Sequence, residues 1–333
     1  MITFVRMNTH VKYSIVVPVY NRPQEIDELL QSLTRQTYSN FEVLIIEDGS
    51  TDTCVEVYEK YTSRLKIRYF FKPNSGPGPS RNFGFENATG EYFVVFDSDC
   101  ILPPEYFQEI ERFMKEEGHV DAWGGPDRGH AHFTNLQKAM AFTMSSPLTT
   151  GGIRGNEKKA SSFQPRSFNM GISRKVFKKT GGFKFDRYAE DIELSIRIKN
   201  EGFKIGYIHN AFVYHKRRTN LKQFFWQVYN FGRGRVMVGR VHSGAIKVTH
   251  WFPSFYLMGL CLGFVLLFVK LWVGIAILLF YLLYLLLVSL SAQKQMHSIG
   301  VTLLAGPAAF IQLTGYGVGF LSEMFKNQQR QRK

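Results

Sequence analysis

The chain reads as an α/β fold built on a parallel, doubly wound sheet, followed by C-terminal membrane helices. Three observations lead there. Apolar, β-favouring runs alternate with segments of helical spacing through the first hundred or so residues. The fourth run, Phe93 to Phe96, ends directly on Asp97-Ser98-Asp99. From Trp251 to Leu290 only Lys270 is charged. At 333 residues the chain can bury a full α/β core and still build a second region.

Tyr13 to Val19 reads as the first strand, closed by Pro18 and the turn-like Tyr20-Asn21-Arg22-Pro23. Gln24 to Gln36 follows with Ile26, Leu29, Leu30 and Leu33 at helical spacing. Phe41 to Glu47 is a second strand running into Asp48-Gly49-Ser50-Thr51-Asp52, where Thr51 or Asp52 is able to cap the next helix. Ile67 to Phe71 is a third strand. Lys72 to Gly84, rich in Gly and Pro, reads as a loop leading into a short helix before the strand that ends at Asp97.

In an open α/β sheet, ligands bind beyond the carboxyl ends of the strands. Asp97 and Asp99 stand at such an end, and period-2 geometry puts both on one side of the chain. Two hard oxygen ligands that close suit Mg²⁺ or Mn²⁺ carrying substrate phosphates; the plainer alternative is a polar turn closing a strand. Asp48 reads either as a helix cap or as a ligand for a ribose or base. The Gly-Pro loop lacks the Gly-Lys-Ser/Thr of a phosphate loop, but its Arg81 suits a diphosphate.

Four segments in order, Ser14-Ile15-Val16-Val17-Pro18-Val19-Tyr20-Asn21, Glu47-Asp48-Gly49-Ser50-Thr51-Asp52, Arg81-Asn82-Phe83-Gly84 and Asp97-Ser98-Asp99, resemble the successive signatures of the family-2 glycosyltransferases. The resemblance extends to about Arg218. It implies a Rossmann-like glycosyltransferase domain of the A type, with the nucleotide of a nucleotide-diphosphate sugar near Pro18, Tyr20, Asn21 and Asp48. Gly124-Gly125-Pro126 and Asn169-Met170-Gly171 resemble the segments that line the sugar and acceptor pocket; Gly125 and Asn169 read equally well as strand-end turn residues.

Polar Glu193, Arg197 and Glu201 fit one face of a helix beginning near Glu190. Its first residues, Glu190-Asp191, read as a helix cap or as a site. The resemblance favours the second, because the pair matches the family's Glu-Asp motif, whose Asp is the catalytic base; Glu190 is the second catalytic candidate. A base is needed because a sugar hydroxyl is a poor nucleophile until its proton is taken. The fold often supplies a His after that helix as a further metal or diphosphate contact, and His215 matches the position better than His209. His130 and His132 read as solvated.

Leu221, Phe224, Phe225, Val228 and Phe231 recur at helical spacing among Lys222, Trp226, Arg233, Arg235 and Arg240, the pattern of an amphipathic helix on an anionic membrane face. Gln227-Val228-Tyr229-Asn230-Phe231 resembles the Q-x-x-R-W motif of processive polysaccharide synthases, but Asn230 and Phe231 replace its Arg-Trp pair. Phe252 to Val269 and Leu271 to Leu290 are each long enough to span about 30 Å of hydrocarbon, as a hairpin turning at Lys270. Ile299 to Phe325, interrupted by Gly306-Pro307 and Gln312, reads as a third span or as a surface helix. Lys326, Arg330, Arg332 and Lys333 favour a cytoplasmic C-terminus, and with a cytoplasmic catalytic domain that requires an even number of crossings.

The expected organisation is a catalytic domain over 11–218, an interfacial region over 219–248 and a membrane region over 251–325. A formal charge of +14 points to anionic partners, nucleotide phosphates or acidic lipids. No compact basic-aromatic module is visible, which argues against nucleic acid. Three scattered cysteines form neither a disulfide framework nor a zinc site. No signal-peptide-like stretch precedes Tyr13, so the first domain is expected in the cytoplasm, anchored at the inner membrane. The expectation is thus a membrane-anchored, metal-dependent, inverting glycosyltransferase acting on a glycan or lipid-linked acceptor. A sugar nucleotidyltransferase and a non-catalytic membrane component are the rival readings.

Overall fold

The computed structural model describes residues 13–129, 133–150, 163–215 and 218–326. His130 and His132, read as solvated, lie outside the described residues, as do Arg330, Arg332 and Lys333.

Strand β1 (Tyr13–Val19), helix α1 (Pro23–Leu33), β2 (Phe41–Asp48), α2 (Val55–Glu59), β3 (Ile67–Lys72), α3 (Pro77–Asn87) and β4 (Tyr92–Val95) follow the expected rhythm. Next come β5 (Cys100–Ile101), α4 (Tyr106–Glu116), β6 (Ala122–Gly124), β7 (Asp127–Arg128), α5 (Asn135–Ser145) and α6 (Pro147–Thr150). Then β8 (Met170–Ser173), α7 (Arg174–Thr180), α8 (Glu190–Asn200), β9 (Ile205–Tyr207) and β10 (Val213–His215) complete the strands. The last helices are α9 (Leu221–Val241), α10 (Phe252–Val269), α11 (Leu271–Met296) and α12 (Ile299–Met324).

The chain divides into two compact units, Met1–Arg128 with Ala160–His215, and Gly129–Lys159 with Lys216–Lys333. Among the described residues, helices α5 and α6 group with the C-terminal helices. Met140 and Met144 of α5 pack with Phe224, Val228, Val301 and Ala308, while Phe142 packs with Val288, Ala305 and Ala309. An amphipathic helix joins whichever apolar faces cover it, and these lie far away in sequence.

In the first unit a seven-stranded sheet has the order β3-β2-β1-β4-β8-β6-β9. All pairs are parallel except those of β8, which runs antiparallel to both β4 and β6. Strands covered on both faces read as continuous apolar runs. Accordingly Ile15, Val17, Val43 and Ile45 meet Ile26, Leu30 and Ile110 on one side, and Val16, Leu44 and Ile46 meet Phe85, Val176 and Leu194 on the other. Pro18 is tolerated in β1 because the β4 pairing stops at Val16. The Gly-Pro segment is helical from Pro77 rather than a loop to Gly84. Prolines suit a first helical turn, whose N–H groups lack intrahelical partners. Gly76 enters it at φ 99, and Gly78 donates to the Asp186 carbonyl at 2.9 Å, where a Cβ would lie 2.0 Å from the Phe185 oxygen.

Glu42 is buried in β2 and accepts from Ser14 Oγ at 2.6 Å, Thr89 N at 2.7 Å and Arg68 Nη2 at 2.9 Å. Burial raises its pKa, but these donors outweigh burial and hold the carboxyl at about 2, below its ordinary 4.5. A depressed folded-state pKa contributes stability above the unfolded value that is lost as pH falls through the folded one. Glu42→Gln is therefore expected to lower the Tm at pH 7 and to lose much of that deficit by pH 3. A deficit of equal size at both pH values would show that ionisation is not what matters.

Candidate active site

The polar groups collect where β1, β2 and β4 end. Asp99 follows β4, and a second sheet, in the order β5-β10-β7, brings His215 to it: in the antiparallel β5–β10 pair His215 lies opposite Cys100. His215 Nε2 is 3.2 Å from Asp99 Oδ1, and its ring stacks on Phe168 with centroids 4.9 Å apart. Arg22, at the start of α1, donates from Nη1 to Asp99 Oδ2 at 2.8 Å. Burial raises the Asp99 pKa, but the hydrogen bond and charge of His215 together with Arg22 more than offset it, and the carboxyl sits below its usual range.

Asp99, Cys100 and His215 offer ligand atoms within 4.8 Å of one another. An ionised carboxylate and an imidazole are donors that Mn²⁺ or Mg²⁺ accepts. Burial, reinforced by the charge of Asp99, pushes the Cys100 thiol well above its ordinary pKa, so it is the weak member. Asp99 and His215 thus fit the expected metal. Asp97 is differently employed, with Oδ1 accepting from Arg81 Nη2 at 2.8 Å.

Arg81, expected to reach a diphosphate, is held between two carboxylates. Its side chain is 3% exposed and both amino groups are engaged, Nη2 with Asp97 and Nη1 with Glu190 Oε1 at 2.7 Å. Burial works against its charge, but the two carboxylates more than restore it. Arg81 ties α3, the end of β4 and the start of α8 together.

The pair opening α8 splits into two roles. Ala189, at φ 57, turns the chain into the helix, and Glu190 and Asp191, successive residues of it, point to different partners. Glu190 is buried against Arg81. Burial raises its pKa, Arg81 lowers it and the Asp191 charge raises it again, leaving the carboxyl at about 7. Asp191 is 15% exposed, accepts from Ile192 N at 2.7 Å and Ser167 N at 3.4 Å, and has the Arg166 guanidinium 3.8 Å away. It is the less encumbered of the two carboxylates, and it faces the N-terminal end of a helix dipole.

Asp48 ends β2 buried, accepting from Lys72 Nζ at 2.5 Å, Ser75 N at 2.9 Å and Gly76 N at 2.8 Å. Burial raises its pKa and these bonds lower it further, for a net depression. Asn21, at φ 53, accepts from the backbone of Thr51 and Asp52 and latches two loops, while Tyr20 beside it is 51% exposed. Asn169, expected at a pocket wall, is fully buried between Tyr106 Oη and the Ala211 carbonyl. Gly125 serves close packing, since a Cβ there would meet the Ala211 oxygen at 1.9 Å. His209 is exposed and stacks edge-on against Tyr207.

Sequence reasoning missed Arg22, Arg166, Ser167 and Cys100. Arg22 was within reach of inference, since it stands in the turn beyond the first strand; Arg166 and Ser167 follow no periodic segment.

This sheet order, with acids at the strand ends and a Glu-Asp pair opening α8, defines a glycosyltransferase fold of the A type. The chain belongs to glycosyl transferase family 2, whose family model matches residues 14–181. It is 40% identical over 109 residues to an uncharacterized glycosyltransferase of Rickettsia felis, across 33% of this chain and 18% of that protein. It is 36% identical over 115 residues to the poly(ribitol-phosphate) beta-N-acetylglucosaminyltransferase TarS of Staphylococcus aureus, across 33% of this chain and 20% of that one. The matches thus span about a fifth of the length of these curated relatives. Among solved structures, the mannosyltransferase PcManGT of Pyrobaculum calidifontis, in complex with GDP-Man and Mn²⁺, superposes with a TM-score of 0.62 at 16% identity, covering 96% of this chain and 88% of that one. TarS residues 1–349 with UDP-GlcNAc superpose with a TM-score of 0.52 at 20% identity, covering 94% and 91%.

Among the described residues, three helices are long and apolar enough to cross a membrane: Val248–Val269, Leu271–Met296 and Ile299–Met324. Arg218, just before α9, and Gln223, Trp226, Gln227 and Asn230 on it line a shallow cleft of about 280 Å³.

Proposed function

We propose that the protein is a membrane-anchored inverting glycosyltransferase of the inner membrane, its catalytic unit cytoplasmic. It moves a sugar from a nucleotide-diphosphate sugar to a hydroxyl of a glycan or lipid-linked acceptor, in polysaccharide synthesis. The observation that carries this is the division of labour at the start of α8. Glu190 is locked 2.7 Å from Arg81, while Asp191 keeps a partly exposed carboxylate beside Ser167 and Arg166. Asp191 takes the acceptor proton as the hydroxyl attacks the anomeric carbon, opposite the leaving nucleotide. Glu190 and Arg81 are positioning residues that fix the entry of α8.

Asp99 and His215 would hold Mn²⁺ or Mg²⁺, with Arg22 balancing the second oxygen of Asp99. When bound, the ion supplies charge neutralisation for the departing diphosphate. Asp48, Tyr20, Asn21 and Pro18 form the rim on which the nucleotide rests. The cleft on α9, with an indole face, a guanidinium and three amides, has the chemistry to receive sugar hydroxyls. Membrane lipids are the remaining partner.

The test is a panel of nucleotide sugars given to purified full-length protein in detergent, with and without chelator, reading release of nucleoside diphosphate. Asp99→Asn is expected to abolish nearly all transfer and its divalent-ion dependence while leaving the Tm within a few degrees of the parent. Parental turnover by that variant in chelator would remove the metal assignment.

A further inference from the structure

The arrangement of the C-terminal helices decides how many of them cross. The α10–α11 hairpin is tied level by level. A Cβ on Gly263 would touch Ile277, one on Gly259 would touch Tyr281 Oη, and the Tyr256 and Tyr284 rings lie 5.9 Å apart. Tyr281 Oη also donates to the Tyr256 carbonyl at 2.8 Å. Continued toward the base, this pairing brings Pro253 level with the turn Leu285–Ser289.

Helix α12 meets the hairpin at that one level, twice. Gly306 packs against Ser289 Oγ and Leu285, whereas Gly317 packs against the Pro253 carbonyl and Leu257. Between the two glycines lie about 16 Å of helix, at 1.5 Å per residue. At its ends Thr302 Oγ1 donates to Gln293 Oε1 at 2.5 Å, and Phe320 packs edge-on against Trp251 with centroids 4.9 Å apart. A helix that climbed beside the hairpin would meet progressively higher residues on it. This one goes across the base.

Helix α9 runs alongside α12 in the same direction. A Cβ on Gly232 would lie 2.2 Å from the Tyr316 oxygen, and one on Gly319 would lie 2.0 Å from the Tyr229 oxygen, so the two backbones touch. Arg233 and Arg240 both reach the buried Glu323 at 2.9 Å. If α12 crossed the hydrocarbon, α9 would be carried in with the four cations Lys222, Arg233, Arg235 and Arg240 against the one carboxylate Glu323, a net charge that is costly in hydrocarbon. Beyond α12 the hairpin continues with Phe268, Val269 and Trp272, 91%, 75% and 80% exposed around Lys270. A Trp and a Lys at that tip suit the far headgroup layer.

Resting on the membrane reading above, we propose that α10 and α11 are the single crossing hairpin, and that α9 and α12 form a two-helix plate lying in the headgroup layer. The plate rests its basic residues among lipid phosphates and leaves both ends of α12 on one side of the bilayer. From the Pro253 level to the tip at Lys270 the hairpin rises about 26 Å at 1.5 Å per residue, close to the ~30 Å hydrocarbon layer.

The test uses the full chain with Cys261→Ser, the other cysteines being buried at Cys54 and Cys100. Single variants Lys270→Cys, Gln295→Cys and Phe325→Cys are exposed to a membrane-impermeant maleimide in sealed vesicles of either orientation. Gln295→Cys and Phe325→Cys are expected to label from the same face, with labelling lost when the vesicles are inverted, and Lys270→Cys from the opposite face. Labelling of Gln295→Cys and Phe325→Cys from opposite faces would make α12 a span; labelling of all three from one face would mean that the hairpin does not cross. Both results overturn the proposal. Release of the protein by alkaline carbonate would instead remove the membrane reading itself.

Discussion

Asp191→Asn is expected to leave the dissociation constant for the nucleotide sugar unchanged and to lower kcat by about 10²–10⁴-fold, the usual contribution of general-base assistance. The amide is nearly isosteric and its one oxygen keeps the shorter contact, from Ile192 N at 2.7 Å, while the longer one from Ser167 N at 3.4 Å is given up. It cannot accept a proton. Donor contacts are assigned to other elements, the ends of β1, β2 and β4, and the substitution leaves those untouched. Calorimetry and initial rates on one preparation check both halves. Near-parental kcat would eliminate Asp191 as the base, and lost donor binding would make its role structural.

The largest effect on stability is expected at Arg81. Arg81→Met removes one cation from between two carboxylates, Asp97 at 2.8 Å and Glu190 at 2.7 Å, and buries an uncompensated charge. Breaking a buried pair in this way costs about 3–5 kcal/mol. The loss should depend on pH in a defined sense. Without Arg81 the carboxyl of Glu190, already raised to about 7 by burial, rises further. A raised folded-state pKa means stability that is present at low pH and lost as pH rises from the unfolded value of 4.5. The Tm deficit of Arg81→Met should therefore be smaller at pH 5 than at pH 8, and adding Glu190→Gln should recover part of it at pH 8. A deficit independent of pH and unrelieved by the second substitution would mean that Arg81 acts through packing on Phe183, whose ring lies 5.3 Å away.

What could be read in advance divides along physical lines. Asp48 and Asp99 were legible because a continuous apolar run ending on an acid marks the carboxyl end of a buried strand, where such sheets bind ligands. The start of α8 at Glu190 was legible from its polar face. The contact of His215 with Asp99 depends on a sheet whose strands are two and three residues long, too short for any periodicity. The burial of Arg81 was hidden because its partner Glu190 lies 109 residues away, and a charged residue in a Gly-Pro segment reads as exposed. The burial of Asn169 was hidden for the same reason, since Tyr106 and Ala211 satisfy it from distant positions.

The grouping of α5 with the C-terminal helices bears on how the chain acquires its structure. Met140, Phe142 and Met144 find their cover on α9, α11 and α12, elements made long after α5 itself. Synthesis proceeds from the N-terminus, and domains form as their last elements appear. The helical unit therefore stays incomplete until the final turns of α12 have left the ribosome, and α5 displays its apolar side throughout that interval. A chain stopped at His250 keeps this side uncovered by α11 and α12. Such a fragment should be more prone to association than a clean removal of an anchor implies.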